Sequence, residues 1–207
     1  MTSQAQTVSS SHADVRTIVG GGAKLGLVSA VVVVVFALVS RALGAGTAET
    51  VVQLQLVIAG GVLAAYLPAS WVRPMDADTI AWSALVGLLG AVTFTVIDTA
   101  LLRPLDLYHW RWDEIGGGSG FWYIPVWWML SAVLAWLGAW VYAQSVTPTT
   151  GDPPVAVLAL QTAVGAEVLY FLLVLTQVVP FHSSAGGLAL ALVLVAHIAI
   201  AKALSRR

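Results

Sequence analysis

The chain contains no cysteine and few charged residues. Of its 207 residues, 10 are Asp or Glu and 9 are Lys or Arg, so charged side chains make up 9% of the sequence. An ordinary soluble domain has about 25%. Without cysteine there can be no disulfide, no thiolate-held iron–sulfur cluster and no thiol nucleophile. The scarcity of charge excludes a soluble globular domain, and so few basic residues cannot form the cationic patch that nucleic-acid binding needs.

Apolar residues are abundant instead and make up 59% of the chain. A transmembrane helix needs about 20 mostly apolar residues. Six stretches qualify, at about 23–43, 51–70, 79–102, 121–144, 155–179 and 185–204. They are apolar on all sides, unlike the alternating strands of a β-barrel. We therefore predict an all-α polytopic membrane protein, a bundle of six transmembrane helices over 23–207, preceded by a polar tail over 1–22.

The basic residues predict an orientation, because cytoplasmic loops carry an excess of Lys and Arg. One side of the predicted bundle holds six of them: Arg16, Lys24, Arg73, Lys202, Arg206 and Arg207. The other side holds three: Arg41, Arg103 and Arg111. We expect a multi-pass protein of a prokaryotic cytoplasmic membrane with both termini inside. The longest polar loop, 103–120, then lies outside the cytoplasm and is rich in tryptophan.

Aromatic residues are concentrated in this loop and in the fourth span. Tryptophan and tyrosine collect at membrane interfaces, where one edge of the ring is apolar and the other can form hydrogen bonds. That explanation suits Trp110, Trp112, Trp122 and Tyr123. It does not account for Trp127, Trp128 and Trp136, which fall inside the span. These three predict contact with a flat partner, either a hydrophobic ring-containing small molecule or another protein. The sequence does not identify a cofactor.

Among the polar residues within the predicted spans, we single out Asp98, Gln161, Glu167 and His197 as functional candidates, because lipid does not solvate such side chains. Glu167, near the middle of the fifth span, is the most costly. It is either a hydrogen-bonded link between helices, for instance to Tyr170, or a contact for an ion, a proton or a cofactor ring. Asp98, near the outer end of the third span, is expected to be solvated at the interface. Gln161 and His197 lie at similar depth, where a hydrogen bond between them would link the fifth and sixth helices.

Two short patches resemble the catalytic motifs of rhomboid intramembrane proteases. Gly117-Gly118-Ser119-Gly120 is similar to the serine motif of that family, and Ala196-His197 is similar to its histidine motif. The resemblance implies a Ser119 nucleophile with His197 as its base. However, the family's additional histidine and asparagine are absent, and the predicted topology places Ser119 and His197 near opposite membrane faces. No spacing of His, Asp and Glu matches a metal-binding motif.

Three classes of function follow. The first is a non-catalytic accessory or scaffold subunit of a larger membrane assembly, with other membrane proteins as partners and the aromatic fourth helix in contact with a pigment or other ring. The second is a small-solute binding or transport protein, in which Trp122, Trp127, Trp128 and Glu167 line an outward-facing pocket. Its dimensions are similar to those of the vitamin-binding subunits of energy-coupling-factor transporters. The third is an intramembrane enzyme, and the sequence favours a non-enzyme.

Overall fold

The structure is a computed structural model that describes residues 14–107, 123–146 and 153–204. These residues form six α-helices and no strand: α1 (Val15–Leu43), α2 (Thr47–Val72), α3 (Ala77–Ile97), α4 (Tyr123–Ser145), α5 (Val155–Leu175) and α6 (Ala185–Leu204). A π-helical turn, Asp98–Leu102, continues α3. Six helices are long and apolar enough to cross a membrane, which confirms the predicted multi-pass integral membrane protein.

The central helix of the bundle is α2, which contacts each of the other five helices. On one side α1, α3 and α4 pack in sequence, and on the other α5 packs mainly against α6 and α2. Because successive helices alternate in direction, Asp14, Arg73 and Leu204 lie at one end of the bundle. We call this the N-terminal end, and the opposite end, which holds Gly44 and Arg103, the far end.

Helix α1 begins at Val15, so the predicted start near residue 23 is wrong, and residues 15–22 of the predicted tail are helical. Asp14 caps the helix, because its side chain accepts a hydrogen bond from the backbone N–H of Arg16 at 3.2 Å. The glycines in this segment allow close approach to α3. A Cβ on Gly22 would lie 2.5 Å from the Cβ of Leu89. Small residues have this use in membrane helices, where backbones approach closely.

Helices α3 and α4 also meet through small residues. A Cβ on Gly87 would lie 2.6 Å from both the Cβ of Ala135 and the backbone oxygen of Ser131. The hydroxyl of Ser131 donates to the backbone oxygen of Gly87 at 2.8 Å. Ser83, Gly87 and Ala91 are all buried, so the small-residue repeat of the third span forms a helix contact, as its spacing predicts.

Two helix ends differ from their predicted positions. Pro68 lies inside α2, and the helix continues to Val72, where Arg73 adopts a left-handed conformation with φ 53°. Pro74 then prevents continuation, since proline supplies no backbone N–H. Helix α5 ends at Leu175 and not near residue 179, because the chain turns at Gln177, whose φ is 59°. By contrast, α6 spans 185–204 as predicted.

A glutamine joins three segments at the far end. The Gln53 amide nitrogen donates to the Ser40 hydroxyl at 2.7 Å and to Glu49 Oε1 at 2.8 Å. Its amide oxygen accepts from the hydroxyl of Ser183 at 3.1 Å. Gln53 therefore links α1, α2 and the turn before α6, and its polar atoms are satisfied within the chain.

Replacing Gly87 with alanine is expected to destabilise the bundle. The new methyl group meets a backbone oxygen, which cannot turn aside, so α3 and α4 must separate at a cost of about 1–3 kcal/mol. Gly20→Ala is the matched control, because nothing lies within 4 Å of a Cβ at that position. The control should be neutral or gain up to about 1 kcal/mol from helix propensity. Thermal unfolding in detergent measures both variants, and equal melting temperatures would contradict the close contact.

The cap of α3 predicts a pH dependence. The Asp76 carboxylate accepts hydrogen bonds from the Thr79 hydroxyl at 2.6 Å and from its backbone N–H at 2.8 Å. These bonds favour the charged form and lower the pKa of Asp76 below its ordinary 3.8. Its stabilising effect is therefore complete above the ordinary pKa and is lost as the pH falls through the lowered one. Asp76→Ala should lower the melting temperature at neutral pH, and the difference should vanish in strong acid. A difference that persists there would contradict the cap.

Candidate functional site

Three polar side chains from three helices form a connected group inside the bundle. The Tyr66 hydroxyl on α2 lies 2.7 Å from Thr162 Oγ1 on α5, and either atom can be the donor. Thr162 Oγ1 in turn lies 3.5 Å from His197 Nδ1 on α6. Tyr66 is 2% exposed and Thr162 is fully buried, whereas His197 is half-buried. We call Tyr66, Thr162 and His197 the polar triad.

The helix positions explain why the triad forms. Tyr66, Thr162 and His197 each lie six or seven residues from the N-terminal end of the bundle. At 1.5 Å per residue, each is about 10 Å inside its helix. Thr162 belongs to the buried stripe of α5, which Ala166 and Tyr170 continue at intervals of four residues. Its hydroxyl therefore points inward, toward α2 and α6.

The hydrogen bond that would link Gln161 and His197 does not form. Gln161 is exposed, and the ring nitrogen of His197 faces Thr162 instead. The reason is geometric, because consecutive residues of an α-helix are rotated by about 100°. With Thr162 turned inward, Gln161 points toward the outside of the bundle. Its side chain makes no hydrogen bond within the part of the chain that the structure describes.

Glu167 lies 12 residues after the first residue of α5, about 18 Å along the helix. It is half-buried and makes no hydrogen bond or ion pair with the described residues. The Tyr170 hydroxyl, one predicted partner, is buried and does not bond to it. The carboxyl thus lies near mid-span without a partner in the described part of its own chain.

The aromatic helix α4 does not present one continuous aromatic face. The indole N–H of Trp128 donates to the Thr95 hydroxyl at 3.0 Å, so this ring binds α3. Trp127 is half-buried. Trp136 is 41% exposed and its ring centre lies 5.0 Å from that of Trp140. Tyr123 is the first residue of α4. Trp110, Trp112 and Trp122 lie outside the described residues, as does most of the predicted loop 103–120.

Charged residues at the far end are paired. Asp98 is 1% exposed, so the expectation of a solvated interface residue is wrong. Its carboxylate binds Arg103 Nε at 3.1 Å across the π-helical turn. Arg41 of α1 donates to the backbone oxygen of Asp106. A π-turn is rare and often marks a functional position. Here it places Arg103 over Asp98 and so neutralises a buried charge.

The described residues do not form a binding site for a free metal ion. They contain no group of three His, Asp or Glu side chains that could hold a metal ion. Ser119, the serine of the rhomboid-like patch, lies outside the described ranges, so its relation to His197 stays untested. The residues that the sequence did not single out are Tyr66 and Thr162. These two residues lie at the same depth in their spans as His197, and this shared depth could have identified them from the sequence.

Comparison of the chain with known protein families, curated proteins and solved structures finds no match. Function is therefore inferred from the physical chemistry of the described residues.

Removing the arginine of the far-end pair should destabilise the protein. Arg103→Ala leaves the Asp98 carboxylate, whose side chain is 2% exposed, without this partner. We expect a loss of about 1–3 kcal/mol in the free energy of unfolding. Adding Asp98→Asn should recover part of it, since the side chain that has lost its arginine partner is then neutral. Arg16→Ala, at an exposed position, is the control. If it lowers the melting temperature as much as Arg103→Ala does, the pair does not stabilise α3.

Proposed function

We propose that the protein is a non-catalytic accessory or scaffold subunit of a larger membrane protein assembly, and that it contacts its partner through α5. The observation that carries this proposal is Glu167, a half-buried carboxyl near mid-span with no hydrogen bond or ion pair to the described residues. Polar residues at such depth normally face a bundle interior, a cavity or a partner.

The energetic cost of leaving Glu167 alone supports this proposal. A charged side chain at the centre of a span costs about 2.5–3.5 kcal/mol on insertion scales. Protonation removes the charge, but the neutral acid still costs about 1–3 kcal/mol when its polar atoms lack partners. A hydrogen-bond donor or a cationic side chain on a neighbouring protein would offset this cost. The partner class is therefore a transmembrane helix that carries such a group.

The shape of α5 also suits this role. Its buried stripe faces α2 and α6, while Leu160 and Val164 are 65% and 54% exposed. Leu160, Val164 and Glu167 follow at intervals of four and three residues, so they share one helix face. A partner helix lying along Leu160 and Val164 would reach Glu167. One contact would then cover the apolar residues and satisfy the carboxyl.

Contact of α4 with a pigment or other ring is a finer part of the proposal, and Trp136 is the residue that supports it. Among the described tryptophans, only this one is exposed. Met129, 68% exposed, lies two turns earlier on the same side of α4. A flat ring could lie against this surface. Trp127 and Trp128 contribute less, because Trp128 is bonded to Thr95 on α3.

The subunit proposal is better supported than transport. A solute pocket between Trp128 and Glu167 would need α4 and α5 to line one space. The Trp128 indole is instead directed at α3, and α5 packs mainly against α6 and α2. The orientation with both termini in the cytoplasm belongs to the same proposal and rests on the excess of basic residues at the N-terminal end.

The partner contact predicts a position-specific crosslink. A photoreactive amino acid at Val164 should crosslink to a second membrane protein in native membranes. The same group at Val31, 63% exposed on α1, should not. Glu167→Leu should reduce the Val164 crosslink about fivefold if the contact contributes about 1 kcal/mol. Glu167→Gln should retain more of it, because the amide still forms hydrogen bonds.

Val168→Leu provides the control, because Val168 is 56% exposed on the same helix and the change adds no polar group. It should leave the crosslink unchanged. Mass spectrometry identifies the product. Equal crosslinking from Val164 and Val31, or a product made only of a second copy of this chain, would contradict the proposal.

A further inference from the structure

His197 has an arrangement that a simple link between helices does not require. Its Nδ1 atom faces Thr162, while its Nε2 atom makes no hydrogen bond within the described residues. The residue as a whole is half-buried. The imidazole is thus held at Nδ1 from the interior, and its Nε2 atom is left without a partner among the described residues.

The triad can orient the ring for ligation. The Thr162 hydroxyl can accept a hydrogen bond from Nδ1–H of His197. It can also donate a hydrogen bond to the Tyr66 hydroxyl oxygen, since either atom of that pair can be the donor. This arrangement leaves a lone pair on Nε2. Metal-ligating histidines usually donate their other ring N–H to an acceptor, which fixes the tautomer and the ring orientation. Tyr66 and Thr162 would be that support from two neighbouring helices.

The surroundings restrict which metal the site would take. The described residues supply no cluster of three ligating side chains, so this part of the chain does not by itself complete the coordination of a free ion. One histidine is sufficient only when the ligand brings the remaining donors. A metal-tetrapyrrole does this, because four ring nitrogens surround its metal and leave an axial position open. Haems held by a single protein histidine follow this scheme.

Small side chains lie beside His197, although Ile200, 57% exposed, lies on the same face of α6. Ala201 follows His197 by one helical turn, and the adjacent Ala196 is exposed. Gln161 lies at similar depth on α5, exposed and without a hydrogen-bond partner among the described residues. An amide there could bind a carbonyl or carboxyl substituent of the ring. One ligand would then satisfy both unpartnered polar groups.

We propose that His197 Nε2 is the axial ligand of a metal-tetrapyrrole bound on the outer surface of the bundle beside α5 and α6, with Thr162 and Tyr66 as positioning residues. This inference does not depend on the proposed subunit role, because it needs no second protein.

The test uses zinc protoporphyrin IX, in which zinc takes one axial ligand, added to the full chain in mild detergent. The wild-type protein should bind it saturably at a ratio of about one to one, with the red shift of the main absorption band that axial imidazole causes. Metal-free protoporphyrin IX, which has the same ring without a ligation site, should show no such shift. His197→Ala should abolish the shift, and added imidazole should restore it.

His182→Ala is the matched control, because His182 is exposed at the far end and bonds to Ser184. It should bind like the wild type. Thr162→Val leaves His197 in place but removes the hydroxyl that accepts the hydrogen bond from its Nδ1–H. This variant should weaken porphyrin binding roughly 10–100-fold. Circular dichroism verifies folding of each variant. The proposal is overturned if the wild type gives no shift, if folded His197→Ala binds as the wild type does, or if Thr162→Val leaves the affinity unchanged.

Discussion

Lipid offers no hydrogen bonds, and this constraint governs the arrangement of nearly every polar side chain in the bundle. Most are satisfied within the chain: Gln53 by three neighbours, Asp98 by Arg103, and Trp128 by Thr95. Against that background the exceptions are informative. Glu167, Gln161, the Nε2 atom of His197 and the buried Tyr170 hydroxyl have no hydrogen-bond partner among the described residues, and all four lie on α5 or α6. The buried amide oxygen of Gln144 on α4 has none either, so most of these groups, but not all, lie on α5 and α6.

The opposite side of the bundle has a different organisation. There α1, α3 and α4 approach closely through Gly22, Gly87 and other small residues, so their contacts are tight and largely complete. Helix α5 packs against the core through Thr162, Ala166 and Tyr170 and through partly buried residues beside them, whereas Leu160, Val164 and Val168 are exposed. An exposed face of this kind, with Glu167 beside it, is what a subunit needs if it is to bind a partner through one helix.

The sequence predicts the six spans well, because hydropathy over about 20 residues is a strong signal and lipid forces helices. It places the start of α1 too late, since the close contacts of Gly21 and Gly22 with α3 depend on tertiary packing and hydropathy does not reveal them. It also pairs His197 with Gln161, whereas the structure pairs His197 with Thr162. Which of two adjacent residues points inward depends on how α5 is rotated against α2 and α6, and a uniformly apolar helix does not encode that rotation. The Trp128–Thr95 bond and the Asp98–Arg103 pair likewise depend on tertiary contacts.

The central claim is that groups outside this chain satisfy the polar atoms of α5. The carboxyl stretch of Glu167, assigned by infrared difference spectroscopy against Glu167→Gln, reports this directly. We predict that the carboxyl has no hydrogen-bond partner in the isolated chain in lipid nanodiscs, and that it is hydrogen-bonded in native membranes. The same spectrum in both settings would contradict the account, because Glu167 would then have no partner beyond lipid.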